Sequence, residues 1–386
     1  MSIEAATGLA HSLMFEGYVL YPYRQSSLKN QKRMSFGSLY PPAWAETSGE
    51  RGGVQATTLL RGATVSVHVL LLHWAKRTAG AEPAWLEAQE RVVRVGPLEL
   101  GKLALASAQT SFAFPSAEWQ KDDSNYRCET IAGSLRAAAR LVAPNVYELS
   151  LTLANHSALT PLPGADEAAL AELMSFGAAH LVLHSEGGHF VSLLEPPDDL
   201  CAAAQACRND GVWPVLVGSA TASSTMLASP ITLYDYPAVA PESPGDYCDA
   251  TEIDEMLALR VRTMTEAEKA EARRTDPRAR RILERSEALT DEQLLGLHGA
   301  WREPLANAPG SPRPGDRVRL RPKTGRDVFD LALAGELATV ISLEQDIEGR
   351  RYCTVTVDAD PGKDLGVLGQ PGHRFFFELE ELELAP

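Results

Sequence analysis

Apolar and polar positions divide the chain into stretches of different texture. From Gln55 to His156 the pattern is that of strands. Thr64-Val-Ser-Val-His-Val-Leu-Leu-Leu-His73 begins as an alternation and is rich in β-branched residues, which suit a pleated surface. Leu98 to Phe114 is a second apolar, alternating stretch. Tyr126 to Val142 and Val146 to Asn155 predict a hairpin that turns at Ala143-Pro144-Asn145. Strands joined by short turns, without intervening helices, predict an antiparallel sheet or sandwich. The polar stretch Glu46 to Gly53 reads as an exposed loop.

From Asp166 the pattern becomes mixed. Asp166 to Phe176 and Asp198 to Cys207 predict short helices. His180 to His184 and His189 to Leu194 predict two strands around the turn Glu186-Gly187-Gly188, and Val215 to Gly218 and Ile231 to Tyr234 are further strand candidates. Residues 251–302 form the clearest helical block, with three or four helices expected. Thr265-Glu-Ala-Glu268 and Thr290-Asp-Glu-Gln293 fit the capping box, and Thr251-Glu-Ile-Asp254 is a weaker version. Asp276-Pro277 pairs an N-cap with proline at the first helical position. The charges from Glu266 to Arg285 read as a solvated helix face.

Pro304 to Pro314 is a proline- and glycine-bearing linker. Beyond it, Gly315 to Leu320, Leu337 to Leu343, Arg351 to Val357 and Phe375 to Leu382 predict short strands, a spacing that suggests an SH3-like barrel. The expected fold is therefore α+β in three parts. A β-rich domain, sheet or sandwich, spans 15–245; a helical segment spans 246–303; and a small β-barrel spans 312–386.

Bulk properties narrow the function. The 386 residues allow two or three domains and a large core. A net charge of −15 would repel phosphate backbones, which argues against nucleic acid as a partner. Arg24, Lys29, Lys32 and Arg33 could still form a local basic patch. Residues 1–16 lack the basic and apolar regions of a signal peptide, and the longest apolar run, Val65 to Trp74, is far too short to span a bilayer. The expectation is a cytoplasmic chain without membrane insertion. Five scattered cysteines, Cys128, Cys201, Cys207, Cys248 and Cys353, read as reduced structural thiols, with metal or redox use as the competing reading.

Several constellations invite chemistry. His180, His184 and His189, with Glu186, could ligate a metal; against this, a turn separates His189 from the others and buried histidines are common. Glu252, Asp254 and Glu255, with Asp246 upstream, form an acidic cluster at a helix start. The helix dipole alone accounts for it, and an acidic docking patch or cation site is the alternative. Nucleophile elbows, phosphate loops and metalloprotease motifs are missing, so the chain specifies no catalytic residue and no cofactor.

Two proline- and tyrosine-rich segments are the most distinctive features. The first, Gly17 to Asn30, carries Tyr21, Tyr23, Arg24, Lys29 and Asn30. The second, Ser229 to Glu255, carries Tyr234, Asp235, Tyr236, Glu242 and Asp246. Tyrosine combines a large rigid area with a polar tip, and proline limits the entropy lost on ordering, so both segments suit a partner- or ligand-binding surface. Alternatively, they are extended segments packed on one another.

At these segments the chain resembles a family. Tyr21-Pro22-Tyr23-Arg24 with Ser27-Leu28-Lys29-Asn30, Phe190-Val-Ser-Leu-Leu-Glu195-Pro196-Pro197, Ala206-Cys207-Arg208-Asn209, Trp213-Pro214-Val215-Leu216-Val217-Gly218 and the run Ser229 to Glu255 carry the resemblance. So do Asp327 to Gly335 and Pro371 to Phe377. These stretches are similar to uncharacterised accessory proteins encoded in operons of high-affinity, actinobacterial-type NiFe hydrogenases. The resemblance implies a role in hydrogenase maturation or assembly through contact with a hydrogenase subunit or maturation protein, and no catalytic residue. Cys248 departs from the family pattern, which weakens a thiol role there. Two other readings remain: a small-molecule hydrolase or transferase with a pocket near both tyrosine segments, and a metallochaperone.

Overall fold

A computed structural model of the chain describes residues 3–78, 85–121, 123–160, 166–218, 223–238, 243, 245, 247–249, 253–297, 312, 314–322, 333–345, 351–360, 362 and 373–385. The chain divides into two compact units, Met1–His298 and Gly299–Pro386. Described helices and antiparallel strands together make it α+β.

The first unit begins with α1 (Ile3–Met14), α2 (Pro42–Ser48), β1 (Gly53–Arg61), β2 (Thr64–Thr78), β3 (Trp85–Glu99), α3 (Leu100–Leu105), β4 (Ala108–Phe114), β5 (Ala117–Lys121), β6 (Ser124–Cys128), β7 (Ile131–Ala143) and β8 (Val146–Asn155). Then come α4 (Glu167–Leu173), β9 (Phe176–His184), β10 (His189–Val191), α5 (Cys201–Ala206), β11 (Trp213–Leu216) and β12 (Thr225–Ser229). Helices α6 (Asp254–Thr263), α7 (Glu266–Thr275), α8 (Pro277–Ala288) and α9 (Asp291–Leu297) close it.

Two antiparallel sheets face each other. One has the order β10-β1-β8-β7-β4; the other runs β11-β12-β9-β2-β6-β5, with β3 also paired to β2. Successive side chains of β2 point to opposite faces, so its unbroken apolar run Val69 to Leu72 makes this second sheet apolar on both faces. Val65, Val67, Val69 and Leu71 point into the core between the sheets, beside Leu60, Leu135, Leu151 and Leu183. Leu70, Leu72 and Trp74 point the other way, into a core built with Ala6, Ala10 and Met14 of α1, Leu257 and Val261 of α6, Ala272 of α7 and Ile282 and Leu283 of α8. Full burial of each Val, Leu, Ile or Met side chain among these is worth about 1.5–3 kcal/mol. The unit is thus a β-sandwich with a helical layer on its second sheet.

Most expected strands are present, with corrected limits. Tyr126 belongs to β6, so the hairpin of β7 and β8 starts at Ile131. The stretch 98–114 is not one strand: β3 ends at Glu99, and α3 intervenes because Leu100 and Leu103, three apart, are both buried on one side of a short turn. Strands β9 and β10 are not a hairpin either, since β9 pairs with β2 and β12 while β10 pairs with β1 of the opposite sheet. No strand forms at 231–234; the chain leaves β12 at Pro230, which has no N–H to donate to a ladder. Part of the stretch 46–53 is helical, as α2.

The second unit contains β13 (Arg317–Leu320), β14 (Leu337–Gln345), β15 (Arg351–Val357), β16 (Phe375–Glu378) and β17 (Leu382–Leu384). They form one antiparallel sheet in the order β16-β15-β14-β13-β17 over a core of Val318, Leu320, Val340, Cys353, Val355 and Phe377. Among the described residues no ladder joins β16 to β17, so the sheet they form is open. Also among the described residues, no helix is long and apolar enough to cross a membrane.

Candidate functional site

The two tyrosine segments each combine an inward polar clamp with outward apolar side chains. In the first, Asn30 is buried. Its Oδ1 accepts from Leu20 N–H at 2.8 Å, and its Nδ2 donates to the Leu20 carbonyl at 2.6 Å and the Arg24 carbonyl at 3.3 Å. The loop is thereby closed on itself, and Leu28 at its tip is 83% exposed, with Lys29 beside it in solvent. In the second, Asp235 is the clamp: Oδ2 accepts from the Ser192 hydroxyl at 2.5 Å and Oδ1 from Leu216 N–H at 2.7 Å. Its neighbour Tyr234 is 77% exposed. Tyr236 is half-buried at a φ of 59° and donates its N–H to the Leu216 carbonyl at 2.7 Å.

Other residues of the segments face inward. Tyr23 is fully buried, and burial pushes its hydroxyl far above the usual phenol range, followed by the nearby Asp249 charge. Among the described residues its hydroxyl has no hydrogen-bond partner. The Tyr21 ring meets Tyr23 edge-on at 6.0 Å and lies under the Arg260 guanidinium at 5.3 Å, while its N–H donates to Asp249 at 3.4 Å. Arg24 pairs with Glu268 at 2.8 Å. The segments touch each other where Gly17 N–H donates to the Cys248 carbonyl at 3.0 Å and Tyr21 N–H to Asp249, and Gly37, beyond the first segment, packs against Pro230. A side chain at Gly37 would collide with the Pro230 ring, and φ there is +74°. The aromatic residues therefore do not form one continuous surface: Tyr23 belongs to the core, whereas Tyr234 belongs to solvent.

The basic patch expected near the N-terminus is also dispersed. Arg33 is buried between Tyr18 and Trp85, 4.2 and 3.9 Å from their ring centres, and donates to Asp276 at 3.1 Å and to the Tyr18 carbonyl at 2.8 Å. Asp276 at the same time caps α8 by accepting from Arg278 N–H at 2.7 Å. Tyr18 and Arg33 together cover the outer edge of β3, since Tyr18 Oη accepts from Ala88 N–H and Arg33 Nε donates to the Leu86 carbonyl.

Glu242, Asp246 and Glu252 lie outside the described residues. Asp254 opens α6 and accepts from the Ser243 hydroxyl at 2.5 Å; Glu255 follows it in the first turn, and no side-chain cap precedes them.

The histidines do not converge on a metal. His180 is fully buried; its Nδ1–H donates to the Ala178 carbonyl at 2.8 Å, which leaves Nε2 to accept from the Ser229 hydroxyl at 3.2 Å. Burial pushes its pKa down to about 4, so the ring is neutral. His184 contacts Thr225 at 2.9 Å and exposed His189 contacts Ser223 at 3.4 Å, each within its own loop or strand pair. Among the described residues no three histidine, cysteine or acidic side chains are grouped to hold a metal ion. The five cysteines are free thiols, and burial raises Cys207 and Cys353 to about 11, which disfavours the reactive thiolate.

The charges of residues 266–285, expected to form a solvated face, do so only in part: Glu266, Arg274, Arg280, Arg281 and Glu284 are exposed, whereas others are engaged. Arg278 pairs with Glu90 at 3.0 Å and stacks on Phe15 at 3.4 Å, and Lys269 is largely buried against Glu287 at 3.2 Å. Arg278, Arg281 and Arg285 line a cavity of about 300 Å³ beside α1. Their spacing of three and four was the available signal. A wider cleft of about 690 Å³ lies where Trp119 and Tyr126 stack at 5.2 Å, with Lys76, Arg127, Glu118 and Glu129 around it.

No protein-family model matches the chain, and no curated protein matches it.

Proposed function

We propose that the protein is a cytoplasmic accessory factor for a NiFe hydrogenase, acting by contact with a hydrogenase subunit or one of its maturation proteins. The resemblance of the tyrosine segments supplies the context. The observation that carries the contact mode is the pairing of an internal clamp with an outward apolar residue in both segments, Asn30 with Leu28 and Asp235 with Tyr234. A loop already fixed by its own hydrogen bonds loses little entropy on binding, and a large exposed side chain on such a loop can serve as an anchor. In this reading the second unit is an SH3-like module, and its sheet supplies a further docking surface.

The test is hydrogen uptake in a strain lacking the gene, with the hydrogenase large subunit followed on a gel. Lost uptake with an unprocessed large subunit supports a role in maturation. Lost uptake with a processed subunit supports a role in assembly. Normal uptake with normal processing overturns the reading.

A further inference from the structure

We propose that the free edge of β4 pairs with β4 of a second copy of this chain, antiparallel and about a two-fold axis at Ser111. Strand β4 ends the first sheet, and β7 is its one ladder partner. Among the described residues no strand and no hydrogen bond from another segment meets its other side.

The backbone of β4 shows which of its groups face that free edge. Ala132 of β7 spends both backbone groups on the β8 side: its N–H donates to Ser157 Oγ at 3.1 Å and its carbonyl accepts from His156 N–H at 2.7 Å. Its register partner Ala113 therefore makes no ladder bond to it and turns its own N–H and carbonyl to the free edge. The period of two adds Ser111 and Gln109. All three side chains are exposed, whereas Ala108, Thr110, Phe112 and Phe114 are half-buried, and Ala108 and the two phenylalanines pack on the core between the sheets.

A water-exposed edge of this kind is normally blunted by charge, proline, shortness or a cover. The other edges of the two sheets are. Strand β5 carries Glu118 and Lys121, and β10 is three residues long. Strand β11 carries Pro214, and its Leu216 is bonded by Asp235 and Tyr236. Tyr18 and Arg33 cover β3. Strand β4, Ala-Gln-Thr-Ser-Phe-Ala-Phe, has seven residues and none of these devices.

Self-complementarity selects a second copy as the occupant. A two-fold axis at Ser111 sets Ser111 against itself and Gln109 against the partner's Ala113, so every edge-facing N–H and carbonyl finds a partner. The same register sets Phe112 against the partner's Thr110 and Phe114 against the partner's Ala108, large against small on the half-buried face. A charge at the centre would meet its own copy, and there is none. Each chain carries −15, so copies attract only where the contact is neutral. Leu105, 90% exposed three residues before β4, adds apolar surface at each end of the contact. The two five-stranded sheets become one continuous sheet. A seven-residue strand is much smaller than a standard interface of roughly 20–30 residues a side, so the dimer should be reversible, with a micromolar Kd.

Sedimentation velocity of the full chain from about 1 to about 200 µM tests this, and the wild type should pass from monomer to dimer. Ser111→Lys and Ser111→Glu each place like charges opposite one another on the solvent face, and should raise the Kd about fivefold or more without lowering the melting temperature of the monomer. An equimolar mixture of the two variants places opposite charges there and should restore the dimer. If one variant does not fold, the other still tests the contact against the wild type. A wild type that stays monomeric overturns the proposal and leaves the edge to an extended segment of another protein. A dimer unchanged in a folded variant, or a mixture no tighter than either variant alone, overturns it as well.

Discussion

Arg33 donates from Nη2 to an Asp276 carboxylate oxygen at 3.1 Å, and the two side chains, 243 positions apart, are each 1% exposed. This pair ties the N-terminal segment to the junction of α7 and α8. Removing one partner leaves the other charge buried and uncompensated, which typically costs about 3–5 kcal/mol. Arg33→Met and Asp276→Leu should each destabilise the protein by that order, and the double variant should cost clearly less than their sum. Urea unfolding of all four members of the cycle measures the coupling; strict additivity would show that the pair does not act as a unit.

Acid should destabilise the protein through His180. Its folded pKa of about 4 lies below the ordinary value of 6.5. Above pH 6.5 the ring is neutral in both states and contributes no pH dependence. As the pH falls from 6.5 toward 4, the unfolded chain takes up the proton first, so stability drops, and the loss levels off below the folded pKa. The gap corresponds to about 3 kcal/mol. His73 is shifted in the same direction by burial and adds to the trend. Chemical denaturation at pH 7 and pH 4 should show a smaller loss in His180→Gln than in the wild type; equal losses would exclude His180 as the source.

Tyr23→Phe should stabilise the chain. The hydroxyl is buried without a partner among the described residues, so removing it deletes an uncompensated desolvation cost of about 1 kcal/mol or more. Tyr23→Ala should instead cost about 3–5 kcal/mol, as expected for emptying an aromatic site in a core. A lower melting temperature for Tyr23→Phe would mean that the hydroxyl is satisfied after all.

The docking reading separates two classes of variant. Leu28→Ala and Tyr234→Ala, both exposed, should leave stability within about 0.5 kcal/mol of wild type while weakening co-purification with the hydrogenase partner several-fold. Asn30→Ala and Asp235→Ala should each cost about 2 kcal/mol, because the backbone groups they serve lose their partners. Unchanged co-purification in a folded Leu28→Ala/Tyr234→Ala protein would defeat the contact mode.

Local signals in the sequence were accurate where the chemistry is local. The Thr265–Glu268 capping box forms in both directions, Thr290 and Gln293 exchange the same bonds, and Asp276-Pro277 starts α8. The β7–β8 hairpin turns at Pro144-Asn145, with Asn145 at a φ of 57°. What could not be read was long-range. Alternation in β2 announced a strand but not that both of its faces would be buried. Nothing near Arg33 announces Asp276, and nothing near His189 announces that β10 pairs with β1 rather than with β9. The tyrosine segments were identified, yet the burial of Tyr23 depends on residues near 248, more than 200 positions away, and the exposure of Tyr234 on the anchoring of Asp235 by Ser192 and Leu216.

The Arg33–Asp276 link also sets a timetable for synthesis. At the usual 5–20 residues per second, roughly 10–50 s separate the appearance of Arg33 from that of Asp276. During that interval the apolar face formed by Leu70, Leu72 and Trp74 lacks α6, α7 and α8, which complete its cover. The nascent chain therefore carries a half-finished sheet through most of its translation, with an arginine destined for the interior still in water. A truncation before α8 yields not a smaller stable protein but a sandwich with one open side, the form most prone to aggregate or to be held by a chaperone.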